Sequence, residues 1–297
     1  MPIRNSLNVL LCNFKLVYKL LLFILIITLI AVAICFSIIN PIFEGYYEVV
    51  REQFDYVIED MVKHPIMMFQ SFFNIFLDYL DINSSFVSIK MLNLSLLFIG
   101  LRFFIMLPVL PVANVLHSKM TTNFDQGLFN SFVSSLPQCL LFSLLSAVVL
   151  GLIDLAILVG IALLAVPLIK FLGLIALPIC LAIAIGAFSL RMSLVCQWLP
   201  EISRNNGKKI FSALKASIQP TIKQFTKNFI CISVTNTVSV ALLMSTFIPT
   251  VGLFPIFLIP TFVVLYQSLY LALNFSYNHQ KYFIDNGVTV YDPTKKF

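Results

Sequence analysis

Arg102 and Asp154 are the charged residues set deepest in apolar sequence, and their types and spacing define the chemistry open to this chain. Arg102 lies in an apolar run from Leu92 to about Val115, and Asp154 in a block that begins at Phe132. Helical rise places each about ten residues from the outer end of its segment. Consecutive antiparallel helices would therefore carry opposite charges at equal depth. A lone ion at the centre of a bilayer costs roughly 3 kcal/mol even on the mildest scales, so the two are expected to pair. Such a pair admits two roles: it could hold a proton or a substrate, or it could fix the register of two helices.

A second polar set lies toward the C-terminus. Ser233, Asn236, Thr237 and Ser239 fall in one apolar segment, while Gln267, Tyr270 and Asn274 recur at i, i+3 and i+7 in the next and so share a helical face. They could line a polar path or simply hydrogen-bond helix to helix. Motifs of catalysis are missing: the sequence holds no HExxH, GxSxG, GxxxxGK[ST] or GxGxxG. His64, His117 and His279 are scattered over both sides of the implied membrane. No metal site, cofactor or enzymatic activity is expected from this set.

The segments that must position these groups follow from length. The chain of 297 residues is 60% hydrophobic and 11% charged, far from the roughly 25% charged residues of a soluble domain. A bilayer core about 30 Å thick needs roughly 20 apolar residues per crossing. Six stretches qualify: Lys19 to Ile39, Leu92 to about Val115, two from Phe132 to Leu199, Phe229 to Phe247, and Leu253 to about Phe275. The long block is expected to break near Pro167 to Gly173, where Pro167, Lys170 and Gly173 interrupt it.

Charge sets the orientation. With both termini inside, Arg4, Lys15, Lys19, Lys119, Arg191, Arg204, Lys208, Lys209, Lys215, Lys223, Lys227, Lys281, Lys295 and Lys296 are inner, 14 in all. Only Arg51, Lys63, Lys90 and Lys170, four residues, are outer. The positive-inside rule thus predicts cytoplasmic termini in a cell membrane. Ala31-Val32-Ala33 has the form of a signal-peptidase site, but the apolar run continues to Ile39, so the first helix is expected to remain as an anchor. The six cysteines lie in or beside apolar segments and read as small buried hydrophobes.

Two amphipathic segments flank the spans. From Glu44 to Lys63, Tyr46, Tyr47, Val50, Phe54, Val57, Ile58 and Met61 share a face opposite an acidic one, and Ile66 to Asp81 continues as a second interfacial stretch. On the inner side, Ser203 to Asn228 carries Arg204, Lys208, Lys209, Lys215, Lys223 and Lys227 without an acid. That pattern suits a helix lying on an anionic inner leaflet, each basic residue contributing about 1 kcal/mol. It equally suits lysines that only enforce topology. Nucleic acid is not an expected partner, because membrane orientation accounts for the net charge of +6.

One segment carries a family likeness. Arg191, then Leu199-Pro200-Glu201, Gly207 and Phe211-Ser212-Ala213-Leu214-Lys215-Ala216-Ser217 resemble a pattern in six-helix bacterial membrane families of poorly defined function. These include the membrane region fused to some glycerophosphodiester phosphodiesterases. The resemblance covers Phe129 to Tyr277 and implies a bacterial membrane module of lipid or envelope biology. No phosphodiesterase domain accompanies it here, so no hydrolase activity carries over.

The expectation is therefore an all-α, polytopic helix bundle, one integral membrane domain over 1–297. It carries an outer amphipathic insertion at 41–90 and an inner basic segment at 200–228. The leading function is transport of a small or lipid-like substrate. The alternative is a non-catalytic scaffold or accessory subunit, with a membrane-protein partner or a second copy of the chain.

Overall fold

Uninterrupted apolar sequence has one way to satisfy its backbone in lipid, the α-helix, and helices account for almost all of this chain. The computed structural model describes residues 2–52, 75, 78–79, 82–204, 210–250, 253–285 and 289–292. Among them, six helical stretches are long and apolar enough to cross a membrane: Phe14–Glu52, Ser84–Thr122, Leu136–Leu172, Pro178–Arg204, Phe225–Thr246 and Leu258–Tyr277. The protein is an all-α, multi-pass membrane protein.

The chain begins with α1 (Pro2–Cys12), a surface helix that ends at Asn13 and turns into α2 (Phe14–Glu52). At 39 residues α2 is about 58 Å long by helical rise, well beyond a bilayer core. The anchor and the start of the outer amphipathic segment are thus one helix, with Pro41 inside it. Its C-terminal part buries Ile42 and Val50, with Tyr46 and Val49 half-buried, against Ile75, Tyr79 and Val87. Tyr47 is exposed and leaves the apolar face assigned to it from periodicity. Phe54, Val57, Ile58 and Met61, and most of the stretch from Ile66 to Asp81, lie outside the described residues.

The second span is α3 (Ser84–Met106) followed by α4 (Val109–Thr122), split at Leu107 and Pro108 where proline offers no amide hydrogen. Short α5 (Leu128–Ser134) leads into α6 (Leu136–Leu145), a π-helical turn at Ser146–Leu150, and α7 (Gly151–Leu172). A left-handed Gly173 (φ +56°) opens the 3-10 turn Gly173–Ile175 before α8 (Ala176–Val195). The break therefore falls at the glycine end of the expected interval. Gly173 takes positive φ without a Cβ penalty, whereas Pro167 is carried inside α7.

After a turn at Cys196 and Gln197, α9 (Trp198–Arg204) extends the fourth span. Then come α10 (Ile210–Lys223), α11 (Phe225–Thr250) and α12 (Leu253–Tyr277). A two-stranded hairpin, β1 (Tyr282–Phe283) with β2 (Val290–Tyr291), follows in antiparallel register. The hub is α12: 61% of the most apolar stretch of its span is buried inside the protein, against 11% to 39% in the other five. It packs on α1, α2, α4, α9 and α11. Much of the outward surface is large apolar side chains such as Leu29, Leu163 and Phe171, as hydrocarbon contact requires.

Candidate functional site

Asp154 sits on α7 between α3 and α8, and both neighbours bring it a guanidinium. Arg102 donates from Nη1 to Asp154 Oδ2, and Arg191 donates from Nη2 to the same oxygen at 2.5 Å. The three side chains are only 11%, 8% and 15% exposed for Arg102, Asp154 and Arg191. All three lie near the midpoints of their spans: Arg102 between Ser84 and Thr122, Asp154 between Leu136 and Leu172, Arg191 between Pro178 and Arg204. The expected Arg102–Asp154 contact is present, within a triad.

Arg191 is the correction. Counting it among the inner basic residues ended the fourth helix there, but α8 continues to Val195 and α9 carries the span to Arg204. The signal was the apolar sequence past it, Met192, Leu194, Val195, Trp198 and Leu199. Local backbone makes room for the cluster. The π-helical turn, whose wide i→i+5 bonding re-aims the residues after it, runs directly into Gly151. A Cβ at Gly151 would stand 3.3 Å from Arg102 Cδ.

A polar stripe runs along another face of the same span toward its Arg204 end. Ser189, Ser193, Gln197 and Glu201 repeat every fourth residue along α8 and α9, and all are buried. Their spacing covers about 18 Å of helical rise. Facing them, Asn236 donates to Ser189 Oγ at 2.8 Å, and Tyr266 donates to Asn236 Oδ1 while its hydroxyl lies 3.4 Å from Ser239 Oγ. Farther in, Asn274 Nδ2 donates to Gln197 Oε1 and Glu201 Oε1, both at 3.0 Å. Asn278 completes the group with a 3.0 Å bond to Asn274 Oδ1.

Gln267, Tyr270 and Asn274 are all buried on α12, as one face requires. Thr237 is not part of this set. It is exposed and returns its hydroxyl to Ser233 O at 2.8 Å. Tyr266, which the spacing argument missed, takes its place beside Asn236. Among the described residues, the buried Gln197 Nε2 and Gln267 Oε1 have no hydrogen-bond partner.

The inner basic set divides. Lys215 and Lys223 are exposed on α10, next to the exposed Phe211, Ile218 and Ile222. The opposite side of α10 buries Ile210, Ala213 and Ser217. Arg204 lies 3.9 Å from Glu201 at the end of α9. Lys227 departs from the expected surface helix: it belongs to α11 and reaches inward to Ser276 Oγ at 2.6 Å. Lys208 and Lys209 lie outside the described residues. Among the described residues, no group of three or more His, Cys, Asp or Glu side chains is arranged to hold a metal ion. No family model matches this chain, and no curated protein or solved structure matches it either.

Proposed function

We propose that this protein is of transport type, moving a small or lipid-like substrate through the bundle without catalysing a covalent reaction. One observation carries the reading. A carboxylate at mid-span holds two guanidiniums, and another face of α8 presents a buried polar stripe that runs to the Arg204 end of the span. A pair that only fixed register would need neither a second guanidinium nor 18 Å of buried polar surface on the same span (about twelve residues of rise). Intramembrane ionisable residues are rare and mark substrate and ion pathways in many membrane proteins.

The same reading puts both termini and the inner end of the stripe at the cytoplasmic face of a bacterial cell membrane. With Arg191 moved into the span, 13 basic residues remain inside against four outside. On that face α10 rests on anionic lipid, its isoleucines in the acyl boundary and its lysines at the headgroups.

The test is water access. In a chain whose six native cysteines are replaced by alanine, Ser193→Cys and Gln197→Cys are exposed to a membrane-impermeant maleimide from the inner side of sealed vesicles. Labelling of both supports a path. A dry stripe, together with a stoichiometric protein partner in native mass spectrometry, overturns transport and makes the chain an accessory subunit.

A further inference from the structure

The charges at mid-span do not balance. Arg102 and Arg191 share one carboxylate oxygen, and guanidinium stays protonated in proteins. Apart from Asp154 there is no acid in α3, α7, α8, α11 or α12. The cluster thus carries one formal positive charge in excess, in a setting where an unpaired charge is costly. Its hydrogen-bonding groups are also incomplete: among the described residues, Nε of Arg102 and Nε of Arg191 are buried donors without acceptors, and Asp154 Oδ1 is a buried acceptor without a donor.

Each deficit restricts the ligand. The surplus charge calls for a monoanion. Two free N–H donors call for an oxyanion, the group that arginine recognises best. The free carboxylate oxygen calls for a donor on that same ligand. From this inventory we infer that the cluster binds a phosphate monoanion, whose oxygens accept from the arginines while a P–OH donates to Asp154 Oδ1. Free phosphate and a lipid phosphomonoester share this chemistry. The inference rests on the transport reading only in calling the bound group a substrate.

Sulfate is the discriminating probe, since it offers the same oxygens but no hydroxyl, and as a dianion it exceeds the single surplus charge. The purified chain in phosphatidylcholine nanodiscs is titrated at about pH 6, near the second ionisation of a phosphomonoester, with inorganic phosphate and with sulfate. Phosphate should bind about tenfold or more tighter, the worth of one hydrogen bond to a charged group. Asp154→Asn should erase that preference, because its amide is an uncharged, weaker acceptor and two uncompensated guanidiniums favour the sulfate dianion, and Arg191→Gln should remove binding of both ions.

A second arm places phosphatidic acid in the nanodiscs. Retention of this lipid in native mass spectra, undisplaced by free phosphate, identifies the lipid as the source; binding of inorganic phosphate alone identifies the free ion. Equal affinity for phosphate and sulfate in the unmodified protein, or no binding of phosphate and phosphatidic acid, overturns the inference whatever the variants do. Binding without movement across proteoliposomes would retain the site and retire transport. Flux of some other solute without phosphate binding would do the reverse.

Discussion

Two guanidiniums on one carboxylate make the three residues unequal. Losing either arginine leaves a one-to-one pair, whereas losing Asp154 leaves two cations facing each other at mid-span. Removing one partner of a buried ion pair typically costs about 3–5 kcal/mol. Asp154→Asn should therefore lower the melting temperature in detergent more than Arg102→Gln or Arg191→Gln does. Equal losses for all three would mean that the excess charge is already neutralised in the resting protein. Arg102→Asp combined with Asp154→Arg should restore stability only in part, because Arg191 then meets a guanidinium; adding Arg191→Gln should complete the rescue. Arg102 and Asp154 were legible in the sequence because each interrupts apolar residues on both sides. Arg191 was not, because a basic loop follows it closely and a cation near such a loop reads as an interface marker. Thr237 and Tyr266 teach a related lesson. Composition marks a segment as polar, but only packing decides which hydroxyl turns inward.

At the level of elements, six spans could be read from length and apolarity, since the hydrocarbon thickness fixes both. The seams could not. A π-helical turn at Ser146–Leu150 has no residue signature, and the charge of Arg191 masks the apolar residues that carry the fourth span into α9. Gly151 is where that seam can be tested. Gly151→Ala should be tolerated, since Arg102 needs to yield by only a few tenths of an ångström around the 3.3 Å contact. Gly151→Leu should displace the arginine and cost about 1–3 kcal/mol, as overpacking does. A thermal shift for the leucine variant no larger than for alanine would mean that Arg102 is not held against α7. The helix α10 carries a separate expectation. Lys215→Gln with Lys223→Gln should reduce enrichment of phosphatidylglycerol over phosphatidylcholine in co-purified lipid. At about 1 kcal/mol per lysine the loss is roughly 30-fold. Unchanged enrichment would leave those lysines a topological role alone.

For the whole molecule, the consequence of six crossings is that the chain ends where it began. Asn5 on α1 donates to the Tyr282 hydroxyl at 2.8 Å, and Tyr282 stacks on Phe275 with ring centroids 5.4 Å apart. Neither α1 nor the hairpin was legible from apolar pattern, because both lie beyond the spans: α1 owes its order to docking on α12, and β1 packs on α4 with Tyr282 stacked on Phe275. Burial pushes the Tyr282 hydroxyl up to about 12, against which the bond from Asn5 acts only partly. In the undocked chain the group titrates near 10. The protonated ring thus supports docking fully below about pH 10, and that support, on the order of 2 kcal/mol, is lost as pH rises toward 12. Spin labels on Leu7→Cys and Val290→Cys, both at exposed positions, should give a narrow distance distribution at neutral pH that broadens between about 10 and 12. In Tyr282→Phe the stacking survives but the ionisation is gone, so the distribution should stay narrow over the same interval. Broadening in that variant too would shift the cause to other groups, and with it the claim that one tyrosine ties the two ends of this chain together.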